Sequence, residues 1–236
     1  MAPGMDARDL VLVQGLRDTR GTLARWTAAP VPIVGSWVAG AAAVTFMLLL
    51  AVGIIASLVT PDPTPVYLPG LTGPAELEDV RAILVRNSLV LALHAFACVA
   101  GFIAGSSLPM EAQRYTGVVR WVHDKAGPLA IAFVTAATAF SLFTQAFVLG
   151  GAASTLAAQG SMSPWLLLVG LTPHAVPELI ALFLPLAAWI IASRRKQWHE
   201  LLAATFATVA IAVPVLIAAA FVEVYVSPDF ILWLRG

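Results

Sequence analysis

Charge is what this chain has least of. Of its 236 residues only 11% are charged, against roughly 25% in soluble domains, and 60% are hydrophobic. That balance excludes a water-solvated fold and requires lipid as solvent. Charge of one sign is also missing: 13 Lys and Arg stand against 13 Asp and Glu. There is no global basic field, so nucleic acid is excluded as a partner. Cysteine is nearly absent too. Cys98 is alone, which excludes an intramolecular disulfide, and it has no CxxC or Cys/His company, so it reads as a small core residue. No nucleotide-binding GxxxxGK[ST], no HExxH and no nucleophile motif around Ser106 or Ser107 occurs, so no cofactor, metal or catalytic residue is assigned.

What is present is a series of long apolar runs. They extend over about 33–59, 87–108, 128–150, 165–193 and 200–226, each long enough to cross about 30 Å of hydrocarbon at about 1.5 Å per residue. The reading is an all-α, polytopic helical membrane bundle of five spans. Residues 1–29 form an N-terminal segment with a weak amphipathic pattern broken by Gly15 and Gly21, and residues 30–236 form one membrane domain. The first run is too long for a signal-peptide core and follows Arg8, Arg17, Arg20 and Arg25, so it reads as a retained anchor.

Orientation follows from Lys and Arg in the short connectors. Arg8, Arg17, Arg20, Arg25, Arg114, Arg120, Lys125, Arg194, Arg195 and Lys196 fall on one side, and Arg81, Arg86 and Arg235 on the other. This places the N-terminus in the cytoplasm and the C-terminus outside the cell membrane. In the outer connector Pro61, Pro63, Pro65 and Pro69 interrupt any helix, and Thr72 with Pro74 looks like the start of a new one. Leu77, Val80 and Leu84 then repeat at helical spacing opposite Glu76, Glu78, Asp79 and Arg81, predicting an amphipathic helix that runs into the second span. On the inner side Tyr115, Val118, Val119 and Val122, with Trp121, Arg114, Arg120 and Lys125, read either as an interfacial helix or as an elbow between spans.

Ionisable groups inside a bilayer cost a few kcal/mol at its centre, so those retained are candidates for function. His94 belongs to the second run, His174 and Glu178 to the fourth, and Glu223 to the fifth; the amides Asn87 and Gln145 lie near the ends of the second and third. With the orientation above, His174, Glu178, Glu223, Asn87 and Gln145 fall in one outer layer. His174 and Glu178, four residues apart, share a helix face. Two readings stand. The groups pair to fix helix packing, worth about 0.6–2 kcal/mol per contact, or they bind a substrate, proton, ion or partner segment. A metal site is the poorer reading, since His174 has no second close histidine. His123 and His199 read as solvated connector residues. Gly101 and Gly105 form a GxxxG in the second span, a packing face within the chain or in a homo-oligomer. The uncharged stretch from Gly150 to Trp165 is unlike an exposed loop; between Pro164 and Pro173, Trp165 to Leu171 is expected to be a short re-entrant segment before the fourth span.

The run Thr172-Pro173-His174-Ala175-Val176-Pro177-Glu178-Leu179 resembles the Pro-His-Gly-x-x-x-Glu-Leu signature of the stage II sporulation protein M family. The closing Ala218-Ala219-Ala220-Phe221-Val222-Glu223, followed by Ser227-Pro228, is similar to that family's Ala-Ala-x-x-Glu and Ser/Thr-Pro, and Asn87 resembles its Asn at the head of the second span. Ala175 stands where the family usually has Gly, and Ala187-Ala188-Trp189 replaces a Gly-rich stretch. The resemblance implies a multi-pass membrane fold and an assembly role alongside envelope partners, peptidoglycan-degrading enzymes among them.

The leading functional expectation is therefore a non-enzymatic membrane scaffold of the bacterial envelope. The alternatives are a permease-like subunit driven by a separate ATPase, and an intramembrane enzyme using Glu178, Glu223 and His174.

Overall fold

The computed structural model describes residues 11–107 and 115–236. Arg8 and Arg114, used above for orientation, lie outside the described residues. Among these residues the chain is all helix and connector, with a single isolated bridge between Pro69 and Gly73 in place of any strand. In order come α1 (Val11–Ala28), α2 (Pro30–Leu58), α3 (Leu77–Phe102), a π turn (Ile103–Ser107), α4 (Gly117–Gln159), α5 (Pro164–Arg195), a 3₁₀ turn (Trp198–Glu200), α6 (Leu201–Tyr225) and α7 (Ser227–Arg235). Five helices, α2 to α6, are long and apolar enough to cross a membrane. This is a multi-pass membrane protein, and helix is the form in which each span satisfies its own backbone groups in hydrocarbon.

Several boundaries differ from the sequence reading, each for a local reason. The expected re-entrant segment does not form: Trp165–Leu171 are the first turns of a continuous α5. Ser163 caps that helix, its Oγ accepting from Leu166 N at 3.2 Å, with Pro164 in the first helical position. Pro173 removes the N–H that would bond Val169 O, and the Thr172 hydroxyl donates to that carbonyl instead, at 2.7 Å. The stretch after Gly150 is helix as far as Gln159, closed by a turn in which Met162 N bonds Ala157 O at 3.0 Å and Ser161 takes φ 52. Thr72 does not cap α3. Glu76 does, its N–H donating to Asp79 Oδ2 at 2.9 Å, half of a capping box. The stretch from Val118 to Val122 is the start of α4 and continuous with the rest of that helix, while α1 is continuous through Gly15 and Gly21.

The chain packs as two compact units. In the first, residues 11–40, 92–107, 115–136 and 184–210, the core holds Trp37, Cys98, Phe102, Leu186, Trp189 and Leu201. The Cys98 thiol is fully buried and donates to Pro185 O at 3.0 Å. Helix α1 is clasped to the 3₁₀ turn by Arg25, whose Nη2 reaches Glu200 Oε1 at 3.2 Å, and Trp26 meets Trp37 edge to face at 5.1 Å. Both glycines of the GxxxG carry indoles: a Cβ on Gly101 would lie 2.6 Å from Trp189 Nε1, and one on Gly105 would enter the Trp198 ring. His123 stacks on Tyr115 at 5.1 Å and His199 is exposed beside Glu200.

In the second unit, residues 41–91, 137–183 and 211–236, Val80 and Ile83 of α3 pack on Ala220 and Val224 of α6. Glycine again marks close approaches, Gly53 receiving Trp165, Gly150 receiving Ile55 and Gly170 receiving Ile231 of α7. Helix α7 was not expected. It turns its buried Pro228 and Ile231 inward and leaves Leu232 and Trp233 exposed.

Gly101→Leu should lower the melting temperature of the detergent-solubilised protein, because overfilling a packed contact costs about 1–3 kcal/mol. An unchanged melting temperature with a halved apparent mass in size exclusion would make this glycine face a dimer contact instead.

Candidate functional site

Pro173 and Pro177 stand four residues apart on α5, and between and beside them the helix presents His174 and Glu178 one turn apart. Three other segments of the second unit bring polar groups to the same place: α3 supplies Arg86 and Asn87, α6 supplies Glu223, and the α6–α7 elbow supplies Ser227. The elbow keeps its backbone bonds while turning, with Val226 N to Val222 O at 3.0 Å and Phe230 N to Val226 O at 3.1 Å.

His174 is buried, and its Nδ1 pairs with Ser227 Oγ at 2.7 Å. Glu223, whose side chain is 12% exposed, faces the 67% exposed Arg86, Oε1 to Nη2 at 4.0 Å. Glu178 is close enough to both Arg86 and Glu223 for their charges to act on one another, and the Asn87 amide lies alongside it. The pairing is incomplete. Asn87 Nδ2, Glu178 Oε2 and Glu223 Oε2 are all buried without a hydrogen-bond partner, an arrangement that costs about 1–3 kcal/mol per group and more for a charged one. A cavity of about 270 Å³ opens beside them, with Arg86, His174, Glu178 and Glu223 in its wall.

Of the residues singled out by sequence, His174, Glu178 and Glu223 line this cavity together, and Asn87 stands next to Glu178 without lining it. Gln145 is not among the lining residues; its Nε2 donates to Ser141 Oγ at 3.2 Å, within its own helix. Two participants were missed. Arg86 was counted only as a connector charge, although a cation next to Asn87 at the head of a span is well placed to neutralise a carboxylate layer. Ser227 was noted in its Ser-Pro motif, but a hydroxyl before a proline announces a turn, not a partner for a histidine 53 positions earlier. Among the described residues no group of three or more His, Cys, Asp or Glu side chains is arranged to hold a metal ion.

The second feature of this unit is the proline-rich connector after α2. It is pinned from one face of α4: Ser154 Oγ donates to Val59 O at 2.9 Å, Asp62 N to Thr155 Oγ1 at 3.0 Å, and Val66 N to Gln159 Oε1 at 3.3 Å, while Gln159 Nε2 returns to Thr64 O at 3.3 Å. Thr155 and Gln159 are four apart and so share that face. Farther on, Gly70 has φ 75 and lies so close to α7 that a Cβ there would be 2.7 Å from Pro228 Cγ. Within the connector the Thr64 backbone N–H, at 2.7 Å from Asp62 Oδ1, holds the Asp62 carboxyl below its usual range. That contribution is complete above the ordinary carboxylate range and is lost as pH falls through the lowered value.

Gln159→Ala should speed deuterium exchange at Val66 and protease cleavage within residues 61–66, with little change in the global melting temperature. Unchanged exchange would mean that the prolines alone hold the connector.

Neither a search of curated proteins nor one of solved structures finds a match to this chain. A family description does, and its span runs from the N-terminal part of α4 through the Pro173–Glu178 segment and Glu223 to Pro228. Residues 126–228 match the description Stage II sporulation protein M, so this part of the chain is similar to that family.

Proposed function

We propose that this protein is a non-enzymatic scaffold of the bacterial cell membrane that holds envelope partners through its outer connector, with the N-terminus in the cytoplasm and the C-terminus outside. The observation that carries the reading is the connector itself. A segment with Pro61, Pro63, Pro65 and Pro69 presents few backbone donors, yet it is held in one conformation by Ser154, Thr155 and Gln159. Its residues 61–65 remain exposed to solvent. An ordered, exposed, proline-rich strap loses little conformational entropy when a partner docks. Peptidoglycan-acting enzymes are the partners that the similarity to the stage II sporulation protein M family suggests. The Lys and Arg distribution supports the orientation.

The test is capture from the native host in detergent, comparing the natural chain with one whose residues 61–65 are replaced by glycine and serine at equal length. The reading expects an envelope enzyme retained by the first and lost from the second. Capture of an ATPase by both would favour a transporter subunit, and turnover that depends on Glu178 would favour an intramembrane enzyme. For orientation, a membrane-impermeant thiol reagent added to cells in a Cys98→Ala background should label cysteines placed at Pro65 and Asp229 but not at Lys125. Labelling at Lys125 alone would invert the topology.

A further inference from the structure

The cavity beside Glu178 and Glu223 is two-faced. One part of its wall is Arg86, His174, Glu178 and Glu223; the rest is apolar, with Leu49, Val52, Leu149, Leu156, Leu167 and Leu171 prominent. At about 270 Å³ it is below the roughly 300–1,000 Å³ of pockets that enclose a whole drug-sized ligand. It therefore suits part of an amphiphile whose remainder lies outside.

The charges in the wall do not balance. Two carboxylates face one guanidinium, and the histidine is already engaged by Ser227. The Oε2 atoms of Glu178 and Glu223 have no hydrogen-bond partner. What they lack is a cationic donor with several N–H groups, and a primary ammonium has three. Arg86 is the complementary half. Its guanidinium has five N–H donors, touches Glu223 only at 4.0 Å, and is 67% exposed, so it can take an anion at the cavity edge. Phosphate is an anion that guanidinium geometry fits bidentately.

We propose that this cavity binds an aminophospholipid, its ammonium between Glu178 and Glu223, its phosphate on Arg86, and the start of one acyl chain along the leucine-lined wall. The zwitterion then lies antiparallel to the Arg86–Glu223 pair, so each charge meets its opposite. The proposal is independent of the scaffold reading, which rests on the outer connector.

The test uses the full chain, delipidated in detergent, titrated separately with phosphatidylethanolamine, phosphatidylcholine and phosphatidylglycerol of identical acyl chains and with soluble phosphoethanolamine. Binding is read by native mass spectrometry and by thermal shift. Phosphatidylethanolamine should bind about tenfold more tightly than phosphatidylcholine, whose quaternary ammonium has no N–H to give, a ratio worth about 1.4 kcal/mol. Glu223→Gln should erase that preference, and Arg86→Gln should weaken every phospholipid. Should Glu223→Gln fail to fold, Ala152→Trp, at an exposed position of the apolar wall, should block the acyl chain and weaken every phospholipid to the level of soluble phosphoethanolamine. Equal affinity for the ethanolamine and choline lipids would overturn the proposal. Soluble phosphoethanolamine binding as tightly as the lipid would overturn its acyl part and make the site one for a free phosphoamine.

Discussion

In hydrocarbon every backbone N–H and C=O must find its partner within the chain, and this constraint shapes the whole molecule. It accounts for five helices in place of any mixture of elements, and it explains how a chain with 16 prolines still forms long ones. Each proline removes a donor and frees a carbonyl, so prolines in a span need either a terminal position or a substitute donor. Both solutions occur. Pro30 and Pro164 open α2 and α5, Pro228 opens α7, and at Pro173 the Thr172 hydroxyl supplies the missing bond.

The same constraint makes glycine the means of packing. Lipid gives helices no hydrophobic reason to associate, so close contact has to do it. In the first unit Gly101 and Gly105 admit the rings of Trp189 and Trp198, and in the second Gly53 admits Trp165 and Gly170 admits Ile231. Small residues facing large ones give dense contact. That leaves the few polar groups concentrated in one place, where α3, α5, α6 and the start of α7 bring Arg86, His174, Glu178, Glu223 and Ser227 together.

That concentration is unusual because it is only partly paired. His174 and Ser227 satisfy each other at 2.7 Å, and their bond fixes the elbow that turns α7 back onto Gly170. The carboxylates are less complete, sharing the single guanidinium of Arg86. Three of the buried polar atoms without hydrogen-bond partners, on Asn87, Glu178 and Glu223, stand together next to an open volume. A purely structural polar layer would close these gaps with its own side chains, which is why the cavity invites a ligand of complementary charge.

Hydropathy determined by itself that this is a helical membrane protein with five long apolar helices, because run length against bilayer thickness is a local property. The motif residues likewise pointed to the family description that residues 126–228 match, and His174, Glu178 and Glu223 could be singled out because ionisable groups are rare in apolar runs. What only the tertiary structure decided depends on distant segments meeting. Arg86 became a site residue and Gln145 did not, since the direction of a side chain around a helix is set by packing. Ser227 became the partner of His174 through an elbow that no periodicity signals. The stretch from Gly150 to Leu171, read as unlike an exposed loop and as ending in a re-entrant segment, differs for the same reason. Its glycines and prolines signal irregular backbone when read locally, but Ile55 packed on Gly150 and the hydroxyls of Ser163 and Thr172 make helix the form that satisfies every group.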